Sequence, residues 1–152
     1  MESARPACAD DAERITGLWR MAQAELADQR GGGLFLAREA AGFPAPPVTG
    51  DDGKRVWVGT VDNFILGYLV ARVETLRDEG RLGVVEEVFV EPGARGVGLG
   101  EAMMDLALEW LRDEGCTGVD AYALPGMRDT KNFFETFGFT ARLLVVHRRL
   151  GG

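Results

Sequence analysis

Apolar residues recur along this chain with two different periods. Ile15, Leu18, Trp19, Ala22 and Leu26 fall three and four apart between Asp10 and Gln29. That is the stripe of an amphipathic helix, capped by Asp10 or Asp11 and ended by Gly31-Gly32-Gly33. Arg55 to Val61 and Phe64 to Leu76 read instead as two strands joined by a tight turn at Asp62-Asn63. Gly67 interrupts the second strand, where a bulge or a close backbone approach is expected. Arg77-Asp78-Glu79-Gly80 then turns the chain into Val84, Val85, Val88, Phe89 and Val90, a run too short and too poor in helix formers to be helical. It is read as a largely buried strand that Pro92 ends.

Helical spacing returns at Met103, Leu106, Ala107, Trp110 and Leu111 within Glu101 to Glu114, and Gly115 follows where a left-handed residue closes a helix. Gly118 to Leu124 reads as a strand, Thr130 to Phe139 as a short helix and Ala141 to Leu150 as a final strand. Leu34 to Lys54 holds Phe43, Pro44, Pro46 and Pro47, a connection that forms either one wall of an acceptor site or a passive loop. The whole predicts one domain over residues 1–152, an α/β (α+β) fold with a mixed, mostly antiparallel sheet and helices on both faces.

The stretch between the third strand and the second long helix is Arg95-Gly96-Val97-Gly98-Leu99-Gly100. Alternate glycines before a helix let the backbone approach a bulky anion, and the helix's first amides point at it unpaired. Glu101 follows the last glycine, so the lysine and hydroxyl of a Walker loop are missing. The dinucleotide fingerprint wants its third glycine at 101, and Glu91-Pro92-Gly93-Ala94 separate the motif from its strand. The pattern Arg-x-x-Gly-x-Gly after a V-x-P strand end fits at Val90, Pro92, Arg95, Gly98 and Gly100. It resembles the coenzyme-A-binding motif of the GCN5-related N-acetyltransferase (GNAT) family. Residues 130–139, TKNFFETFGF, are similar to that family's second motif, a short helix closing on Gly-Phe.

The resemblance implies acetyl-CoA as co-substrate and direct acetyl transfer to a primary amine on a small molecule, an amino acid or a protein N-terminus. It also implies a fold in which the fourth and fifth strands part, so that backbone near Val88, Phe89 and Val90 holds the pantetheine. By the same resemblance Arg95, Gly96, Val97, Gly98, Leu99 and Gly100 surround the pyrophosphate, and Arg128 and Lys131 contact nucleotide phosphates or are simply solvated. The family's tyrosine acid is replaced by Phe134, which stays a candidate cofactor contact, and the asparagine usual a few residues earlier by Met127. Tyr122, Tyr68, water or no acid at all then serves the leaving thiolate. A module that senses acyl-CoA without turnover, or an enzyme using another acyl group, remains an alternative.

Amine acetylation needs an amine that has lost its proton. Glu86 and Glu87 stand together in an otherwise apolar strand, where alternation puts one on each face and buries at least one. The resemblance favours Glu87 as the base, because an acidic residue just before the V-x-V segment is frequent in the family's pattern, with Glu86, bulk water or a role as a pocket lining for a cationic amine as the other readings. His147 is the single histidine and is read as structural.

Composition narrows the partners. A net charge of −7 and a sequence pI near 4.8 lack the basic footprint that nucleic acid or an anionic membrane requires. Cys8 and Cys116 form neither a disulfide framework nor a metal site, and Cys116 is read as a packing residue rather than an acetyl carrier. No metal is expected, a cytoplasmic location is the default, and a homodimer is left open.

Overall fold

The computed structural model describes residues 1–40 and 53–151. Five strands form one sheet in the order β1 (Glu2–Pro6), β2 (Lys54–Val61), β3 (Phe64–Thr75), β4 (Arg81–Val90) and β5 (Gly118–Ala121). The first four are antiparallel to their neighbours, and β5 runs parallel to β4. The helices are α1 (Ala12–Ala27), α2 (Gly32–Arg38), α3 (Leu99–Asp113) and α4 (Arg128–Thr136).

Strand alternation divides the core into two layers. Val56, Val58, Tyr68, Val70 and Phe89 face Ile15, Leu18 and Ala22 of α1. Trp57, Leu69, Ala71 and Val85 face Met103, Met104, Ala107 and Leu111 of α3, with Phe134 of α4 beside them. Helices therefore cover both faces of an open mixed sheet, as the periodicity predicts. Asp62 and Asn63 both have positive φ, the conformation of a two-residue hairpin turn. Gly67 is a close approach, because a Cβ there would lie 2.8 Å from the Phe89 carbonyl oxygen.

Three elements differ from the sequence reading. β1 has no large apolar side chain and only Ala4 is shielded, so nothing in its residue pattern marks an edge strand. The glycine triplet ends α1 but also starts α2: Gly31 has φ +79°, and a Cβ on Gly32 would lie 1.9 Å from the Leu26 carbonyl oxygen. The loop expected from Leu34 therefore begins as helix, and the expectation for Phe43, Pro44, Pro46 and Pro47 lies outside the described residues. The third difference is that Ala141 to Leu150 is not a strand. It follows α4 as irregular chain, with Leu143, Leu144, Val145 and Val146 between 67% and 84% exposed. Their β propensity finds no strand to pair with among the described residues.

Candidate active site

A bulge in β4 sets the chemistry. Val85 pairs with Ala71 and Glu87 with Val70, so Glu86 is the extra residue between them. The extra residue cancels the alternation, and both glutamates turn to the α1 side of the sheet instead of one to each face. Glu86 Oε1 lies 3.0 Å from Lys54 Nζ and 3.8 Å from Arg72 Nε. Glu87 Oε1 accepts a hydrogen bond from the Tyr68 hydroxyl, while Glu87 Oε2 is buried with no hydrogen-bond partner among the described residues.

This setting shifts the titration of the Glu87 carboxyl. Burial pushes its carboxyl up to about 7; the Tyr68 hydrogen bond pulls the other way, and the neighbouring Glu86 charge adds to the rise. Tyr68 is fully buried, and burial followed by the Glu87 charge raises its own pKa far out of the neutral range. Tyr68 therefore stays protonated as the donor to Glu87. Lys54 and Arg72 lie within ion-pair distance of Glu86 Oε1, which like Glu87 Oε2 is buried without a hydrogen bond among the described residues, so the carboxyls differ in charge environment: one faces cations, the other a neutral hydroxyl.

The strands beside these groups part where the family resemblance expects it. Pairing of β4 with β5 runs from Leu82↔Gly118 to Val85↔Ala121 and ends there. From Glu86 to Val90 no residue of β5 pairs with β4 among the described residues, and Val88 and Val90 lie half-buried there. Tyr122 follows the last residue of β5, its ring edge-on to Phe35 of α2 at 6.0 Å. A surface recess of about 640 Å³ lined by Glu74 to Asp78 lies at the far β3–β4 turn, away from this gap.

The glycine turn leads from the open end of β4 into α3. Gly96 and Gly98 have φ of +88° and +91°, and Gly98 is the residue that caps α3. A Cβ on Gly96 would meet nothing within 4 Å, and one on Gly98 only Glu2 Cγ at 3.8 Å and Glu101 Oε2 at 4.0 Å. The backbone is thus uncovered. The helix ladder begins at the Ala102 amide bonded to the Gly98 carbonyl, which leaves the amides of Leu99, Gly100 and Glu101 ahead of it at the positive end of the helix. These residues fit a diphosphate. Leu99 buries its side chain, and Val97 is exposed.

Two cradle residues have structural duties. Arg95 donates to the Val90 carbonyl oxygen at 2.8 Å, forms a bidentate pair with Glu25, and lies over the Phe89 ring. It holds the turn to β4 and α1. Gly100 is bare because of α4: a Cβ there would lie 2.9 Å from the Phe133 ring.

The remaining candidates lie further out. Phe134 is 7% exposed, packed against the rings of Phe133 and Phe139. Arg128 starts α4 exposed, and Lys131 sits 4.0 Å from Glu135 one turn on. Cys116 packs against the α3 layer, and burial raises its thiol pKa, which opposes a nucleophilic role. His147 lies in the exposed C-terminal segment. Lys54 and Arg72 were missed in the sequence; the signal that finds them is the cross-strand register of β2, β3 and β4, which residue types alone do not give. Among the described residues no group of three or more His, Cys, Asp or Glu is placed to hold a metal ion, and no helix is long and apolar enough to cross a membrane.

A mixed sheet whose fourth and fifth strands part beside a glycine turn at a helix N-terminus is the arrangement that the family resemblance implies. Residues 16–139 match the model of the acetyltransferase (GNAT) family, and the chain belongs to that family. It is an enzyme of the N-acetyltransferase class. Glucosamine 6-phosphate N-acetyltransferase 1 of Oryza sativa subsp. japonica is 28% identical over 93% of this chain and 95% of its own. A ribosomal-protein-alanine N-acetyltransferase of Brucella melitensis biovar Abortus 2308 superposes with a TM-score of 0.72 at 15% identity, covering 99% of this chain and all of that one. An aminoglycoside N-acetyltransferase in complex with CoA gives 0.71 at 18% identity over 99% of this chain and 95% of its own. At these identities the two structures report the shared fold.

Proposed function

We propose that this protein transfers the acetyl group of acetyl-CoA to a primary amine, with Glu87 as the general base that takes the proton from the acceptor. Acetyl-CoA supplies an activated acyl group as a thioester. The uncovered backbone at Gly96 and Gly98 and the first amides of α3 bind the diphosphate, and the open edge of β4 at Val88, Phe89 and Val90 orients the pantetheine. Glu87 accepts the ammonium proton and so frees the nitrogen to form the C–N bond as the C–S bond breaks. Tyr122, just past the end of β5, protonates the departing thiolate in place of the family's tyrosine, a role that Phe134 has no proton to fill.

The observation that carries this reading is the Glu87 carboxyl. It is raised to about 7 and has one oxygen without a partner, on the strand that parts from β5. The acidic surface and the paired glutamates favour a cationic amine on a small molecule or a peptide N-terminus. The test is a thiol-release assay with acetyl-CoA across amino sugars, aminoglycosides, amino acids and N-terminal peptides. Release that depends on both acetyl-CoA and an amine supports the proposal, and release only to water opposes it. NAD should give no thermal stabilisation where acetyl-CoA does.

A further inference from the structure

Of the 17 Lys and Arg residues in this chain, only Lys54 and Lys131 are lysines. To an amine acetyltransferase its own lysines are primary alkyl amines, the chemical class of its acceptor, whereas a guanidinium stays protonated and is no nucleophile. The two lysines stand in unlike places. Lys131 is exposed on α4 and lies 4.0 Å from Glu135, itself 54% exposed. Lys54 reaches Glu86, whose side chain is 8% exposed, with Nζ 3.0 Å from Oε1.

The register shows how far Lys54 extends. It pairs with Arg72 of β3, and Arg72 pairs with Val84 of β4, so a whole strand separates β2 from β4. Neighbouring strands lie about 4.8 Å apart, so Nζ crosses β3 to meet a carboxylate of β4. That carboxylate sits in the bulge next to Glu87, where β4 runs beyond its pairing with β5. Glu86 needs a cation because it is buried, and Arg72 is engaged with Glu74 at 2.7 Å. The Lys54 ammonium therefore stands at the paired glutamates as an acceptor's ammonium would. Its side chain is 32% exposed, so a co-substrate can approach it from solvent.

We infer that Lys54 is an internal acceptor, acetylated on Nζ by this chain's own acetyl-CoA when no amine occupies the site. The inference rests on the function proposed above. The Lys54 nitrogen bonds to the acetyl carbon as the C–S bond breaks. Its ammonium loses two protons in all, one through Glu87 to solvent and one to the departing thiolate, so the products are an amide at Lys54 and free coenzyme A. Acetylation removes the Lys54 charge and leaves Arg72 as the cation near Glu86.

The experiment incubates the full chain with acetyl-CoA and no amine, and reads intact mass followed by peptide mapping. Wild type should gain one acetyl group per chain, on Lys54 and not on Lys131. Glu87→Gln should acquire it about 10²-fold more slowly. Lys54→Arg, which keeps a cation beside Glu86, should acquire none. An added amine that supports thiol release should suppress the gain. An acetyl group on Lys131 instead, or an equal rate in Glu87→Gln, would mark reaction with acetyl-CoA in free solution and overturn the inference. Thiol release to an added amine with Lys54 left unmodified in its absence would also overturn it while the proposed function stands. No release to any amine and no gain in mass would defeat both.

Discussion

Tyr68 and Glu87 meet diagonally across the β3–β4 pair, and the tyrosine hydroxyl donates to the carboxylate oxygen Oε1. Tyr68 is fully buried in the layer under α1, so its ring position is fixed by Val58, Val70 and Phe89. The Glu87 carboxylate is thereby held by the core itself. Its second oxygen is left for a proton.

Tyr68→Phe keeps the ring and removes the one interaction that lowers the Glu87 pKa. The acidic limb of kcat/KM should move to higher pH. Glu86→Gln removes a charge that raises the same pKa, so its limb should move to lower pH. Opposite displacements in the two variants are expected; displacement in the same direction would contradict the assignment.

Glu87 also costs stability. Its folded pKa of about 7 lies above the ordinary 4.5, so between these values the folded state holds more protons than the unfolded chain. The contribution of Glu87 to stability is therefore greatest below about pH 4.5 and falls as pH rises towards 7, by roughly 3 kcal/mol in all. Glu87→Gln removes this loss. Its Tm relative to wild type should be more favourable at pH 8 than at pH 4.5, and the difference between the two pH values is the readout, because the unpaired amide of glutamine weighs equally on both.

Gly98 and Gly100 separate binding from packing. Gly98→Asp places a side chain and a negative charge in the uncovered turn, at φ +91°, and should abolish stabilisation by acetyl-CoA. Gly100→Ala drives a Cβ into the Phe133 ring, so it should lower Tm by displacing α4. Thermal melts with and without acetyl-CoA distinguish the two.

Tyr122→Phe preserves the edge contact with Phe35, which needs only the ring. Loss of the hydroxyl should reduce kcat by about 10²-fold. An unchanged rate would mean that the thiolate leaves without Tyr122.

The sheet, α1, α3 and the glycine turn were legible because their apolar periods and turn residues are local signals, as at Ile15-Leu18-Ala22 and at Asp62-Asn63. β1 was not, because an exposed edge strand such as Glu2–Pro6 has no apolar face to declare itself. The bulge at Glu86 was hidden for another reason. It is a property of the register between two strands, and Glu86-Glu87 looks like ordinary alternation until Val70 and Ala71 are seen opposite. The C-terminal run had the composition of a strand, and whether such a run pairs depends on an edge elsewhere, which its own residues do not encode.

The central claim is that Glu87 takes the proton from the acceptor amine. The most direct test is the pH dependence of kcat at saturating amine and acetyl-CoA for wild type and Glu87→Gln. The wild-type profile should fall below about pH 7, following the carboxyl. Glu87→Gln should lose roughly 10²- to 10⁴-fold in kcat and lose that limb, with acetyl-CoA affinity unchanged. A Glu87→Gln enzyme that keeps both the wild-type rate and the acidic limb would contradict the account.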